Sequence, residues 1–299
     1  MSMFEIDLKQ YVEDNPSLVK KKTFDKHPGL FMLKYTNKVF YKNKWNNYLE
    51  YCRGLVVNSN FELVVKPFQK IYNYGIEPRA PRIPKTAQVT ALRKVNGFMV
   101  AVTKYQSSAI VSTTGSLDSP YVDLAKSHID NTNILQRIEP GYTYMFECVD
   151  ESDPHIIPEK PGLYYLGRHV IEWDATIDID NLSEHATAFN CMYPEVIEDT
   201  FENIKQAVTL ANHEGFVVYS QFGTTKFKTP YYLCLKWLAR NKSLSEKNVM
   251  LHKSRVSEEF YWLLDQVSKT PEFFDLDEVS RLDWIRKQYE EQTCQCVMC

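Results

Sequence analysis

From about residue 30 to residue 237, short apolar runs follow one another with little sequence between them, and this limits the folds open to the chain. Leu55-Val56-Val57 and Leu63-Val64-Val65 flank the polar turn Asn58–Asn60 and read as a hairpin. Phe98–Val102 and Ala109–Val111 read as a second pair, broken by Tyr105–Ser108. Tyr142–Phe146, Leu163–Leu166 with His169–Ile171, and Phe216–Tyr219 continue the series. Parallel neighbours need a long crossover, usually a helix, whereas antiparallel ones need only a turn. Few crossovers are visible, so antiparallel sheets are expected and a doubly wound parallel sheet is not.

Helical periodicity is confined to the ends. Phe4–Glu13, with Leu8, Tyr11 and Val12 apolar, predicts a short helix that stops before Pro16. After about Ser243 the period changes, and Ser243-x-x-Glu246 has the form of a capping box. Phe260, Leu263, Leu264 and Val267 make one helical stripe; Val279, Leu282, Ile285 and Tyr289 make another, with Pro271 between them. Both stripes read as packing surface. The expected class is α+β: a sheet-rich domain over residues 1–242 and a small helical module over 243–299.

Hydrophobic residues at 44% and charged residues at 24% are ordinary for a globular protein, which excludes disordered and collagen-like classes. No run approaches the roughly 18 apolar residues of a membrane span, and Met1–Tyr11 does not read as a signal peptide. Seven cysteines, an odd number in a long chain, suggest reduced thiols and a cytoplasmic setting. Cys294, Cys296 and Cys299 could bind zinc with a fourth donor, although no partner pair is evident and a reduced tail is the simpler reading. The net charge of −3 conceals a strong asymmetry. Residues 1–100 carry 17 Lys/Arg against 8 Asp/Glu, and residues 101–220 carry 6 against 19. Either the fold intersperses these charges, or it sets an electropositive surface beside a carboxylate-rich one.

The residues that could carry chemistry follow an order. Lys94-Val95-Asn96-Gly97 precedes the Phe98 strand, so a glycine turn can present the lysine amine at a pocket. Glu147 ends Tyr144-Met145-Phe146, Glu214-Gly215 precedes Phe216-Val217, and Lys226-Phe227-Lys228 puts two ammonium groups on one strand face. Arg53-Gly54 and Lys70 stand upstream. Singly, each has an ordinary structural reading as a solvated acid, a turn or an exposed edge. Lys20-Lys21-Lys22 is either a solvated run or a contact for an RNA backbone, and Arg168-His169 is either a pocket rim or a strand end.

Taken in order, Lys94-x-x-Gly97, Phe146-Glu147, Glu214-Gly215 and Lys226-x-Lys228 resemble motifs I, III, IV and V of the covalent nucleotidyltransferases, which include polynucleotide ligases and mRNA capping enzymes. Tyr51-Cys52-Arg53-Gly54-Leu55-Val56-Val57, Lys66-Pro67-Phe68-Gln69-Lys70-Ile71-Tyr72-Asn73 and the Tyr231-Tyr232-Leu233-Cys234-Leu235 tail are more discriminating. They resemble the ATP-dependent RNA ligase 1 family of T-even phages, over residues from about 50 to 237. The resemblance implies a nucleotidyltransferase fold of antiparallel sheets with flanking helices, acting on ATP with Mg²⁺, for which Mn²⁺ can substitute. It implies RNA with 5′-phosphate and 3′-hydroxyl ends as partner, a repair role with nicked tRNA as one candidate substrate, and a monomer.

By the same resemblance, Lys94 attacks the α-phosphate to give a lysyl-adenylate. Lys228 contacts that phosphate, Lys226 holds or expels the triphosphate tail, and their charges lower the pKa of Lys94. Arg53 and Lys70 serve the phosphates or the RNA end, and Gly97 belongs to the nucleotide loop. Glu147 receives the ribose hydroxyls, Glu214 helps hold the metal, and Val217 and Tyr232 sandwich the adenine. Three departures stand out. Asn96 occupies a position where the family often has an acid, Ser112-Thr113-Thr114-Gly115 replaces a basic Lys-Ser-Lys-Gly run, and only 71 residues follow Lys228. That tail reads as helices and not as an OB-fold barrel, which disfavours a DNA ligase or a capping guanylyltransferase. A non-catalytic RNA-binding module of the same fold is disfavoured because both ends of the phosphate path are retained.

Overall fold

The computed structural model describes residues 3–297; the side chains of 3–6, 252, 254, 255, 290 and 292–297 lie outside that description. The side chains of Cys294 and Cys296, and all of Cys299, therefore fall outside the description. In chain order the strands are β1 (Val19–Thr23), β2 (Leu30–Tyr35), β3 (Arg53–Asn58), β4 (Leu63–Val65), β5 (Tyr72–Asn73), β6 (Gln88–Arg93) and β7 (Phe98–Tyr105). They continue with β8 (Ser108–Thr113), β9 (Tyr142–Val149), β10 (Gly162–Val170), β11 (Ile177–Asp178), β12 (Val196–Thr200), β13 (Gly215–Ser220) and β14 (Gly223–Lys228). Three sheets result, in the orders β1-β2-β3-β4, β11-β10-β9-β7-β8 and β12-β6-β13-β14-β5. The ladders are antiparallel, as the short spacings require, apart from the two-residue pairing of β5 with β14.

Contacts divide the chain into two compact units. One comprises Met1–Ile71, Gly97–Glu151 and Lys160–Pro194; the other comprises Tyr72–Asn96, Ser152–Glu159 and Glu195–Cys299. The chain passes from one to the other five times, at 71/72, 96/97, 151/152, 159/160 and 194/195.

The first unit holds the first two sheets. Its core includes Met32, Val56, Val65, Ala101 and Met145, all fully buried. The Val56/Val65 hairpin forms as expected. Leu163–Leu166 and His169–Ile171 belong largely to one strand, β10, whose register shifts at Gly167. Lys20-Lys21-Lys22 is part of β1, a strand hidden by its lysines, which have low strand preference. At Arg53-Gly54 the β2–β3 ladder also shifts register. Gly54 takes φ +93°, and a Cβ there would lie 2.9 Å from Thr114 Cα, so neither the backbone nor the space admits a side chain.

The second unit holds the third sheet. The helix Phe201–Leu210 buries Phe201, Ile204 and Val208 against Ala91, Phe216 and Val218. That helix, with Pro120–Ile129 and Leu182–Phe189 in the first unit, adds helices that the strand texture did not reveal. Pro230–Arg240 begins at Thr229, whose hydroxyl accepts the N–H of Tyr232 at 3.0 Å. Its Leu235 and Leu238 pack with Leu263, Leu264, Val267, Leu282 and Ile285, so both C-terminal stripes are packing surface. Val279 is the exception: it lies in the first turn of Glu278–Val297 and is exposed. The capping box is formed by Ser245 and Asn248, not by Ser243 and Glu246. Asn248 can serve both ends, since its Oδ1 accepts from Ser245 N at 2.8 Å while its Nδ2 donates to Ser243 O. Among the described residues no helix is long and apolar enough to cross a membrane.

Candidate active site

Three adjacent strands of the second unit, β6, β13 and β14, bring distant residues together at their ends. Lys94 N donates to Gly215 O at 2.8 Å, Gly215 is the register partner of Lys228, and Arg93 faces Phe216. This fixes Lys94, Glu214 and Lys228 as neighbours. Lys94 Nζ donates to Glu214 Oε2 at 2.9 Å, and Lys228 Nζ stands 3.6 Å from Oε1. Glu214 is 3% exposed. Burial pushes its pKa up, but the charges of Lys94 and Lys228 outweigh that and hold it below the ordinary carboxylate value. Burial lowers the pKa of Lys228, against the pull of Glu214 and with the help of Lys236 and Lys94.

Asn96 completes the cluster. Its Nδ2 donates to Glu214 Oε2 at 2.7 Å, while its Oδ1 accepts from Ile157 N at 2.9 Å. An aspartate could make only the second bond and would set a carboxylate against a carboxylate, which explains an amide here. Ile157 belongs to Ser152–Glu159, a segment that also anchors Arg93 through two bonds to Glu159, at 2.9 and 2.8 Å. Arg93, Ile157 and Glu159 were not singled out from sequence. The Ile157 contact uses a backbone N–H that any residue but proline would supply, so no side-chain signal marks it.

Lys226 and Lys228 alternate with Phe227, which packs toward the core of Phe201 and Phe216. Val217 is the register partner of Lys226 and is half-buried. Tyr232 is 4% exposed, with Lys228 Nζ 4.8 Å from its ring centroid. Burial pushes its pKa up to about 12. Tyr232 therefore positions Lys228 through a cation–π contact.

The first unit carries the remaining candidates. Glu147 lies in β9 and accepts from Gly97 N at 3.2 Å. A Cβ on Gly97 would fall 2.2 Å from Cys148 O, so only glycine allows this approach. Arg53 Nη1 reaches Gln69 O at 3.4 Å, which ties Arg53-Gly54 to the Lys66–Asn73 stretch. Lys70 Nζ lies 5.1 Å from the Trp45 ring centroid. Arg168 bonds Asp178 at 2.9 Å, while His169 is buried beside Lys66 with its edge toward Phe68.

A family model described as RNA ligase, of the T4 RNA ligase 1 type, matches residues 51–232. Comparison with curated protein sequences gave no match. Among solved structures, an archaeal ATP-dependent RNA ligase is similar in two forms. One form has 13% identity and a TM-score of 0.55, over 95% of this chain and 79% of that one. A provisionally assigned ATP-dependent DNA ligase from Aquifex aeolicus has 15% identity and a TM-score of 0.54, over 93% and 76%. At these identities the likeness concerns the fold, an α+β arrangement of antiparallel sheets with flanking helices.

Proposed function

The chain belongs to the RNA ligase family, and on that premise we propose that it uses ATP to join 5′-phosphate and 3′-hydroxyl RNA ends by way of an adenylate on Lys94. The cluster of Lys94, Glu214, Lys228 and Asn96 carries the reading. It holds two amines and one buried carboxylate in fixed register, which suits phosphoryl transfer, where positioning and positive charge dominate. Lys94 Nζ leaves its bond to Glu214, gives up a proton to solvent and attacks the α-phosphorus as the free amine. A nitrogen–phosphorus bond forms, and the bond to pyrophosphate breaks. The AMP then passes to the 5′-phosphate of RNA, and a 3′-hydroxyl displaces it as the phosphodiester forms.

Lys228, oriented by Tyr232, stabilises charge on the α-phosphate, and Lys226 serves the leaving pyrophosphate. Glu147 receives ribose hydroxyls, and Arg53 and Lys70 serve phosphates. Glu214 offers the hard oxygen donors that Mg²⁺ takes; one carboxylate joined by substrate phosphates and water is an ordinary Mg²⁺ environment, so the donor set fits, with Mn²⁺ as substitute. A divalent ion there would neutralise phosphate charge. We assign adenylyl transfer to residues 1–242 and an accessory role to 243–299, in a protein that acts as a monomer.

The test is incubation with ATP or GTP labelled at the α-phosphate. Acid-stable label is expected from ATP, none from GTP, and none in Lys94→Ala. Absence of label across a range of divalent metals would remove the ligase assignment. Joining of DNA ends but not RNA ends by a labelled protein would move the substrate to DNA.

A further inference from the structure

A second group of cations lies within the first unit, apart from the residues that hold Lys94. The β1–β2 ladder sets Lys20 opposite Lys34, and the β2–β3 ladder sets Lys34 opposite Arg53. Neighbouring strands lie about 4.8 Å apart, so a row of basic residues crosses three strands. Like charges directly opposite one another are destabilising, so the Lys20–Lys34 pair gains from a nearby anion.

The row leads to a turn. Lys22, on the same face of β1 as Lys20, donates its Nζ to Gly115 O at 2.6 Å. Lys34 Nζ stands 3.4 Å from the position of a Cβ on Gly115. Beside Arg53, Gly54 packs on the backbone of Thr113 and Thr114. Amines from β1 and β2 and the Arg53-Gly54 end of β3 thus meet the Thr113–Gly115 turn. Lys22 and Lys34 are half-buried, and among the described residues neither forms an ion pair with a carboxylate. Asp118, near the turn, is exposed and accepts from Ser116 Oγ at 3.0 Å. Lys21 differs: it alternates to the other face, where its Nζ sits 3.9 Å from the Phe31 ring centroid.

We infer that Lys22 and Lys34, with the Thr113–Gly115 turn, form a phosphate-binding subsite, and that it takes a backbone phosphate of the RNA strand. RNA is favoured over the tail of ATP because the row continues to exposed Lys20 on the edge strand β1. A polyanion that extends beyond one phosphate can use that continuation. The identity of the ligand rests on the RNA ligase reading; the existence of the subsite does not. It also accounts for the absence of lysine at Thr114, since the amines arrive from the neighbouring sheet.

The experiment is fluorescence anisotropy, without ATP, using a 5′-phosphorylated 12-nucleotide single-stranded RNA over a range of salt. Lys22→Gln and Lys34→Gln should each weaken binding about fivefold and flatten the log–log salt slope by roughly 0.7. Lys34→Arg should bind as wild type does, and Lys21→Gln should change little. A parallel arm titrates ATP in the labelling reaction. If Lys34→Gln raises the ATP requirement but leaves RNA affinity intact, the RNA assignment is overturned. If neither quantity moves, the subsite itself is overturned. If the wild type takes no label yet loses RNA affinity on Lys34→Gln, the ligase reading fails and the subsite stands.

Discussion

The amines around Glu214 and the amines around Gly115 are held in opposite ways. Lys94 and Lys228 stand 2.9 and 3.6 Å from the two oxygens of one buried carboxylate. Lys22 has a neutral carbonyl as its hydrogen-bond partner, and Lys34 faces two basic register partners. The first group contains its own counter-charge, so its geometry is set before any ligand arrives and a ligand must compete with Glu214. The second keeps its net charge and gains when an anion comes. One arrangement suits the fixing of an amine, and the other suits the attraction of a polyanion.

The sharpest way to break this comparison is to remove compensation where it exists. Glu214→Ala leaves two partly buried ammonium groups facing each other and should cost about 3 kcal/mol in urea unfolding. Lys34→Ala should stay within about 0.5 kcal/mol, since it removes a repelled charge. Equal losses at the two places would erase the distinction. The Glu214 carboxyl is held below its ordinary value, so its stabilisation is present above the unfolded pKa and is lost as pH falls through the folded one. The gap between wild type and Glu214→Ala should accordingly close in strong acid.

Next in size is a place where a cation is buried beside an imidazole. Lys66 is fully buried and donates to the carbonyls of Glu172 and Ala175, with its pKa lowered by burial to about 8. Burial and Lys66 lower His169 to about 4, and among the described residues both of its ring nitrogens lack hydrogen-bond partners. The unfolded chain takes up this proton near pH 6.5 and the folded chain only near 4, so stability should fall as pH drops through that window. The loss should amount to no more than about 3 kcal/mol, and His169→Phe should flatten it in denaturation curves recorded from pH 7 to 4.

The smallest expected effect sharpens the comparison at Asn96. Asn96→Asp exchanges a donor for a carboxylate 2.7 Å from Glu214 and should cost about 2 kcal/mol. It should also slow labelling by ATP more than tenfold, because Lys94 loses its register. Labelling at the wild-type rate would show that the amide does not position the site.

What could be read from sequence depended on whether a residue acts through its own side chain. Lys94, Glu214 and Lys228 were legible because they meet through their own charged side chains, and Lys-x-Lys in a strand announces a shared face. The role of Asn96 was not legible, since it depends on a carboxylate 118 positions away and on the N–H of Ile157, 61 positions away. The β1 strand was masked by its own lysines, and only the partner strand β2 shows that they alternate. Ser243 and Glu246 had the right spacing for a capping box, but Asn248 supplied the better side chain. The large antiparallel pairs were plain, while the helix Phe201–Leu210 escaped notice because its apolar residues resemble those of the strands around it.

The five passages of the chain between the two units have a consequence for synthesis on the ribosome. Residues of the first unit continue to appear until Pro194, by which point the second already has Tyr72–Asn96 and Ser152–Glu159 outside the tunnel with no sheet to join. Strand β6 must wait about 100 residues for its first partner, β12, and more than 120 for its second, β13. The Lys94 segment is therefore made early and ordered late, a period in which chaperones could bind an exposed strand edge. Neither unit can be cut out as one continuous stretch and transplanted, so the pair must be exchanged between chains as a whole.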